Sequence, residues 1–469
     1  MKKYTFRKFM NDIHLWLGIG SGIILFIICL TGTIYVFAKD ITEWMDKEKF
    51  IVAVSESTHP MKVTQLVASL EQEKKDSKVT SIQIPEGKES AWLFTVTPKD
   101  ILLRRSKEER EAKMKERIGE KRESRGRAEE KSNQRGRVAD EDSKPKKGRG
   151  KGRGDRERIK TYFVNPYTGE VLGDTRTASS KFFMTIMGLH RWLLLDHDIG
   201  RPITGIATLI FILMEITGLV LWLPVKLKSW KKWSAWKTGF KIKTDARWKR
   251  INYDLHNTLG FYTFLLITLM ALTGLCFSFE WFRNGVGNVF GAKPFDDRKA
   301  AAIQSEYRET KSKSLDFFIG KANEIYPYKG DLRISLPKDS VSPVTAYKVH
   351  KGFISSAGTD RVFFDLYTGN VLKKEPFSDK RIGEKIVALI YPLHVGEVFG
   401  SFTKIIYFIA CLIATSLPVT GTIIWINKLR KKSDKEEGII AKKKPAGAGK
   451  PSKPNMKIAL PVLESNTDN

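Results

Sequence analysis

Cysteine is scarce. Only three occur among 469 residues, Cys29, Cys276 and Cys411, and all fall within apolar runs. The polar segments between those runs have none, so no disulfide framework holds them. Histidine is sparse too, with seven residues, so histidines that recur at matched places stand out. No glycine-rich dinucleotide turn follows a strand, which leaves the chain without that nucleotide fingerprint. Acidic residues are outnumbered, 52 against 81 Lys and Arg, for a net charge of +29. Such an excess can signal nucleic acid, but its distribution here reads differently.

Four long apolar runs stand out: residues 13–38, 203–225, 257–281 and 402–426. Each approaches or exceeds the ~20 residues that a helix needs to cross ~30 Å of hydrocarbon. Continuous runs of this kind specify helices rather than barrel strands. The first is too long for a secretory signal and has sister runs later in the chain. The expected class is therefore a membrane α-helical protein with four transmembrane helices. The lipid bilayer is its first partner.

Charge orients the spans. Lys2, Lys3, Arg7 and Lys8 precede the first span. The 226–250 loop holds ten Lys and Arg against the single acid Asp245, and Lys428, Arg430, Lys431 and Lys432 follow the last span. The positive-inside rule makes these segments cytoplasmic, including residues 1–12 and the tail 427–469, expected to be disordered. The connections 39–187 and 282–390 are then external. The rest of the positive charge lies in residues 103–160, nearly all Lys, Arg, Glu, Gly and Ser. With almost no apolar residue this tract reads as a disordered insertion. Its Arg-Gly pieces resemble RNA-binding segments, but an external location argues against nucleic acid as a partner.

The chain repeats itself. A helix pattern at 63–70, a strand pattern at 79–85 and a Tyr167-Thr168-Gly169 hairpin recur as a helix at 314–325, a strand at 331–337 and a Tyr367-Thr368-Gly369 hairpin. Each connection is thus expected to form a small external α+β module. The spans repeat as well. His14 precedes Thr31-Gly32 by 17 residues to the threonine, and His256 precedes Thr273-Gly274 by the same 17. His190 and His394 precede Thr217-Gly218 and Thr420-Gly421 by 27 and 26. The expected architecture is a duplicated unit of span, external module and span.

Topology turns these repeats into geometry. His14 and His256 start outward-running helices, so both are cytoplasmic-side. His190 and His394 precede inward-running helices, so both are outer-side. Two facing imidazoles at one depth suit a bis-histidine haem, and two such pairs suit two haems b relayed across the bilayer. Glycine at the far helix ends lets a flat ring approach the backbone. Interfacial snorkelling is the plainer alternative. Zinc fits poorly, because no thiol or carboxylate shares the spacing. His197 could replace His190, although Gly200-Arg201-Pro202 suggests that it lies in a loop. His59 and His350 read as surface residues. Glu215 lies within a span, where an ionisable group suggests function: a hydrogen-bonded partner or a redox-linked proton site. Arg191, Arg201 and Lys404 are candidates for haem propionates or lipid headgroups.

The Tyr-Thr-Gly-Glu-Val-Leu hairpin at 167–172 resembles PepSY modules. Leu189-His190-Arg191-Trp192-Leu193-Leu194, with Gly200-Arg201 and Gly218-Leu219-Val220-Leu221-Trp222, resembles the PepSY-associated transmembrane helix family. The likeness covers nearly the whole chain except the insertion and tail. It implies a multi-pass protein of the cell inner membrane with its modules in the periplasm. It further implies His14, His190, His256 and His394 as haem iron ligands, and a ferric siderophore or other iron(III) chelate as substrate of a haem-dependent reductase. Electrons would come from a separate cytoplasmic donor or from quinol. Two alternatives remain: a non-enzymatic membrane protein whose modules restrain an external protease, and an iron or siderophore transporter.

Overall fold

The computed structural model describes residues 4–54, 58–108, 111, 158–295, 303–349 and 358–443. Four helices are long and apolar enough to cross a membrane: Phe6–Tyr35, His197–Trp222, Trp248–Ser278 and Ser401–Lys431. The chain is a multi-pass membrane protein.

The helices extend beyond the apolar runs, because helix geometry continues where apolarity stops. The first helix begins at Phe6, where the Thr5 hydroxyl accepts the Lys8 N–H as an N-cap. It ends at Tyr35, and Ala38–Met45 starts a new helix. The second begins six residues early, at His197, so Gly200-Arg201-Pro202 is not a break but part of its first turns. Pro202 removes a single N–H from the ladder there. Gly200 is required at this place: a Cβ would lie 1.9 Å from the Trp192 carbonyl of the preceding helix, Ala178–Trp192. The last helix runs through Lys443, so the first part of the tail expected to be disordered is helical. The third span contains a π turn, Leu255–Leu259, that includes His256.

The connections supply eight strands: β1 (Ser77–Ile84), β2 (Trp92–Pro98), β3 (Lys160–Val164), β4 (Val171–Asp174), β5 (Leu332–Ser335), β6 (Val344–Val349), β7 (Thr359–Phe364) and β8 (Val371–Glu375). Each half is an antiparallel meander closed by Tyr-Thr-Gly turns, with Gly169 and Gly369 both at φ +76°. That conformation suits glycine. The halves are not separate modules, however. β1 pairs with β5, giving one sheet of order β4-β3-β2-β1-β5-β6-β7-β8. Joining the two edges removes an exposed strand from each.

Helices Val63–Glu73 and Leu315–Ile325 cover one face of the sheet. Beneath them Ile82, Phe94, Ile334 and Phe364 are fully buried, together with Phe318 of the second helix. The start of the expected insertion is ordered, since residues 99–108 are helical. The bulk of it, together with His350 and residues 444–469, lies outside the described residues. His59 is exposed.

The two covering helices are locked to each other by Asp316. Its carboxylate accepts the N–H of Val63 at 2.7 Å and of Thr64 at 3.2 Å, together with the Thr64 hydroxyl. Partial burial opposes ionisation of this carboxyl, but these donors outweigh it and hold it below the ordinary aspartate range. The stabilisation is therefore present at neutral pH and is lost as pH falls through the depressed folded value. Asp316→Ala should cost about 1 kcal/mol, the usual worth of a helix cap. Thermal unfolding of wild type and variant should differ at neutral pH and converge as pH falls below the ordinary aspartate range.

Candidate cofactor site

The four repeated histidines meet two by two. The His14 and His256 rings lie with centroids 6.2 Å apart, at the end of the bundle that carries the N-terminus. The His190 and His394 rings lie 6.3 Å apart at the sheet end. Along the first helix, 14 residues separate His14 from Ile28, which contacts His190. At 1.5 Å per residue the two levels are about 21 Å apart.

Each imidazole rests in the same cradle on a neighbouring helix. The Nδ1–H of His14 donates to the Met214 carbonyl at 3.1 Å and the Thr217 hydroxyl at 3.0 Å. That of His190 donates to the Ile28 carbonyl at 2.9 Å and the Thr31 hydroxyl at 3.3 Å. That of His394 donates to the Met270 carbonyl at 3.0 Å and the Thr273 hydroxyl at 3.2 Å. His256 donates to the Thr420 hydroxyl at 2.9 Å. Each threonine hydroxyl in turn donates to the carbonyl three residues before it: Ile28, Met214, Met270 or Leu417.

The local sequence explains the cradle. A helical carbonyl is flanked by the side chain four residues on, because Cβ atoms lean toward the N-terminus. At all four places that residue is glycine. A Cβ on Gly218, Gly32, Gly274 or Gly421 would stand 3.2–3.3 Å from Cε1 of the cradled histidine, tighter than ordinary contact. Thr-Gly therefore opens one carbonyl to an imidazole and adds a hydroxyl beside it. The ring that the glycine admits is thus a histidine of the adjacent helix, where the sequence suggested a macrocycle.

This arrangement fixes the tautomer. A carbonyl can only accept, so at His14, His190 and His394 Nδ1 carries the proton and Nε2 keeps a lone pair; at His256 the Thr420 hydroxyl, whose own proton goes to backbone carbonyls, takes the accepting place. Among the described residues no Nε2 of the four makes a hydrogen bond. Imidazole nitrogens usually sit about 2.0–2.1 Å from a bound metal ion. Two rings gripping one ion from opposite sides would then have centres about 6.3 Å apart, allowing about 1.1 Å from each nitrogen to its ring centre. Both pairs match that length. The Nδ1 partners are the outer-shell contacts that normally orient ligating histidines. No group of three or more His, Cys, Asp or Glu side chains gathers among the described residues. Two imidazoles at this separation, with no third protein ligand, suit a planar cofactor that supplies the remaining ligands.

The other candidates are placed elsewhere. His197 is half exposed, lies against Trp192 with ring centroids 5.6 Å apart and faces Asp198 at 3.8 Å. It is the first residue of the second span rather than part of a loop. Glu215 accepts the Thr268 hydroxyl of the third span at 2.8 Å. Lys404 is engaged by Asp40 at 2.8 Å and Glu397 at 3.4 Å, so the headgroup and propionate roles are not needed to explain it. The Arg191 guanidinium lies over Trp192, and Arg201 donates to the Phe277 carbonyl. The Arg201 Nε is buried without a partner among the described residues.

Comparison with known proteins adds one finding at the scale of the whole chain. A family profile described as PepSY-associated TM region matches residues 12–428. No curated protein matches the chain.

Proposed function

Because the chain belongs to the family of PepSY-associated transmembrane regions, we propose that it is a duplicated, di-haem electron-transfer protein of the inner membrane. In this reading both termini are cytoplasmic and the sheet is periplasmic. His14 and His256 hold the cytoplasmic-side haem, and His190 and His394 hold the periplasmic-side haem. When bound, haem b supplies reversible one-electron chemistry.

The chain's own contribution is orientation. The carbonyls of Met214, Ile28 and Met270, with the four threonines, hold each ring by Nδ1 and leave Nε2 available as a ligand. The observation that carries the reading is the fourfold recurrence of this cradle. A histidine that merely snorkels to a headgroup needs no buried carbonyl, no hydroxyl and no glycine. Electrons arrive from a cytoplasmic donor or from quinol. The acceptor is a ferric siderophore or other iron(III) chelate, which one electron loosens because hard oxygen ligands grip iron(III) far better than iron(II). Restraint of a protease or transport of iron makes no use of the four cradles.

Purified protein should show a reduced-minus-oxidised spectrum of b-type haem on dithionite addition, with two haems per chain. A spectrum without haem after expression with haem in excess sinks this reading and leaves the two alternatives.

A further inference from the structure

The face of the sheet opposite the two helices carries a row of side chains that the electron-transfer reading does not use. Register places Gln83 opposite Arg333, Arg333 opposite Tyr347, Tyr347 opposite Arg361, and Arg361 opposite Glu375. The row thus crosses the seam between the two halves. The Arg333 guanidinium lies 4.4 Å from the Tyr347 ring centre, and that of Arg361 lies 5.3 Å from the same ring. Glu375 is paired with Lys373 at 2.6 Å. Arg333 is exposed and has no carboxylate partner among the described residues.

We propose that Arg333, held over the Tyr347 ring beside Arg361, is the binding site for a small carboxylate-rich anion. The argument is one of charge and preorganisation. Stacking on tyrosine restricts a side chain that otherwise loses much rotamer freedom on binding. It leaves the edges of the guanidinium fork open, and those edges match a carboxylate two hydrogen bonds at a time. The exposed Gln83 amide adds neutral donors on the other side. The chain reaches this face from the first span: Phe50, just beyond it, packs on Phe163 of the same sheet face with ring centroids 4.6 Å apart. Identifying the anion as an iron(III) chelate rests on the proposed function, whereas the anion site itself does not.

The test uses the full chain in detergent and gallium(III) citrate, a redox-inert counterpart of the iron(III) chelate, in calorimetric titration. Wild type should bind it, more weakly as salt rises. Arg333→Gln should weaken binding at least tenfold. Tyr347→Phe, which keeps the stacked ring, should bind nearly as wild type, and Tyr347→Ala should not. Lack of binding by wild type overturns the proposal. So does equal binding by Arg333→Gln, or inorganic phosphate bound as tightly as the citrate chelate. Loss of binding in protein that retains its haem spectrum rejects this site alone. Binding in protein without haem rejects the electron-transfer reading alone.

Discussion

His14→Ala should reduce haem content from two per chain to one, and His256→Ala should remove the same haem. The two ring centroids lie 6.2 Å apart, so either deletion leaves one side of the site without its ligand. His190→Ala and His394→Ala should each remove the other haem. The double variant His14→Ala/His256→Ala should be no worse than either single one, because residues that act as a unit are not additive. His197→Ala is the internal control: it sits away from both pairs against Trp192 and should retain both haems. Pyridine haemochrome quantification and redox titration give the readout. One midpoint should disappear with the first pair and the other with the second. Loss of both haems from any single variant, or of neither, rejects the two-pair assignment.

The second large effect concerns residues that touch no metal in this reading. Gly421→Val and Gly274→Val should each weaken retention of one haem by roughly 10- to 100-fold, the usual cost of disturbing an outer-shell partner. Even a methyl group at these glycines meets the cradled imidazole at 3.2 Å, and valine adds bulk beyond that. The ring must move, and its Nδ1–H leaves the carbonyl. Thr420→Val is the milder companion. It preserves shape but removes the hydroxyl that accepts from His256 at 2.9 Å, so it should act in the same direction and less strongly. Gly22→Ala should do nothing to haem content, because no atom lies within 4 Å of a Cβ there. Equal haem retention in the cradle variants and in Gly22→Ala would mean that the glycines serve helix packing alone.

Much of this was legible in the sequence, for identifiable reasons. Span number followed from run length, because hydrocarbon thickness is a physical ruler. Histidine pairing by depth followed from repeat phase combined with alternating helix direction. Helix ends were not legible where helix outlasts apolarity, as at His197 and beyond Lys435. The single sheet was not legible. β1 and β5 pair across some 250 residues, and each alone reads as an ordinary strand. The cradle was half legible. Thr-Gly recurred in step with the histidines, but the acceptor is a backbone carbonyl, which has no letter in the sequence, and Met214, Ile28, Met270 and Leu417 share only their place three residues before threonine.

The seam between β1 and β5 has a further implication. Its register is centred on Ile82 opposite Ile334, which occupy the same place in the two repeats, each three residues before a proline. Ser81 faces Ser335 and Gln83 faces Arg333, as positions flanking a twofold axis must. Each histidine pair likewise joins one half to the other. The contact is therefore isologous in form, the kind that a homodimer makes with itself. A half-length chain could in principle have assembled the same bundle, sheet and histidine pairs from two identical copies. Joining the copies covalently freed each half to change alone. Arg333 where the other half has Ser81, and the basic insertion carried by one half only, are asymmetries that no such homodimer could hold.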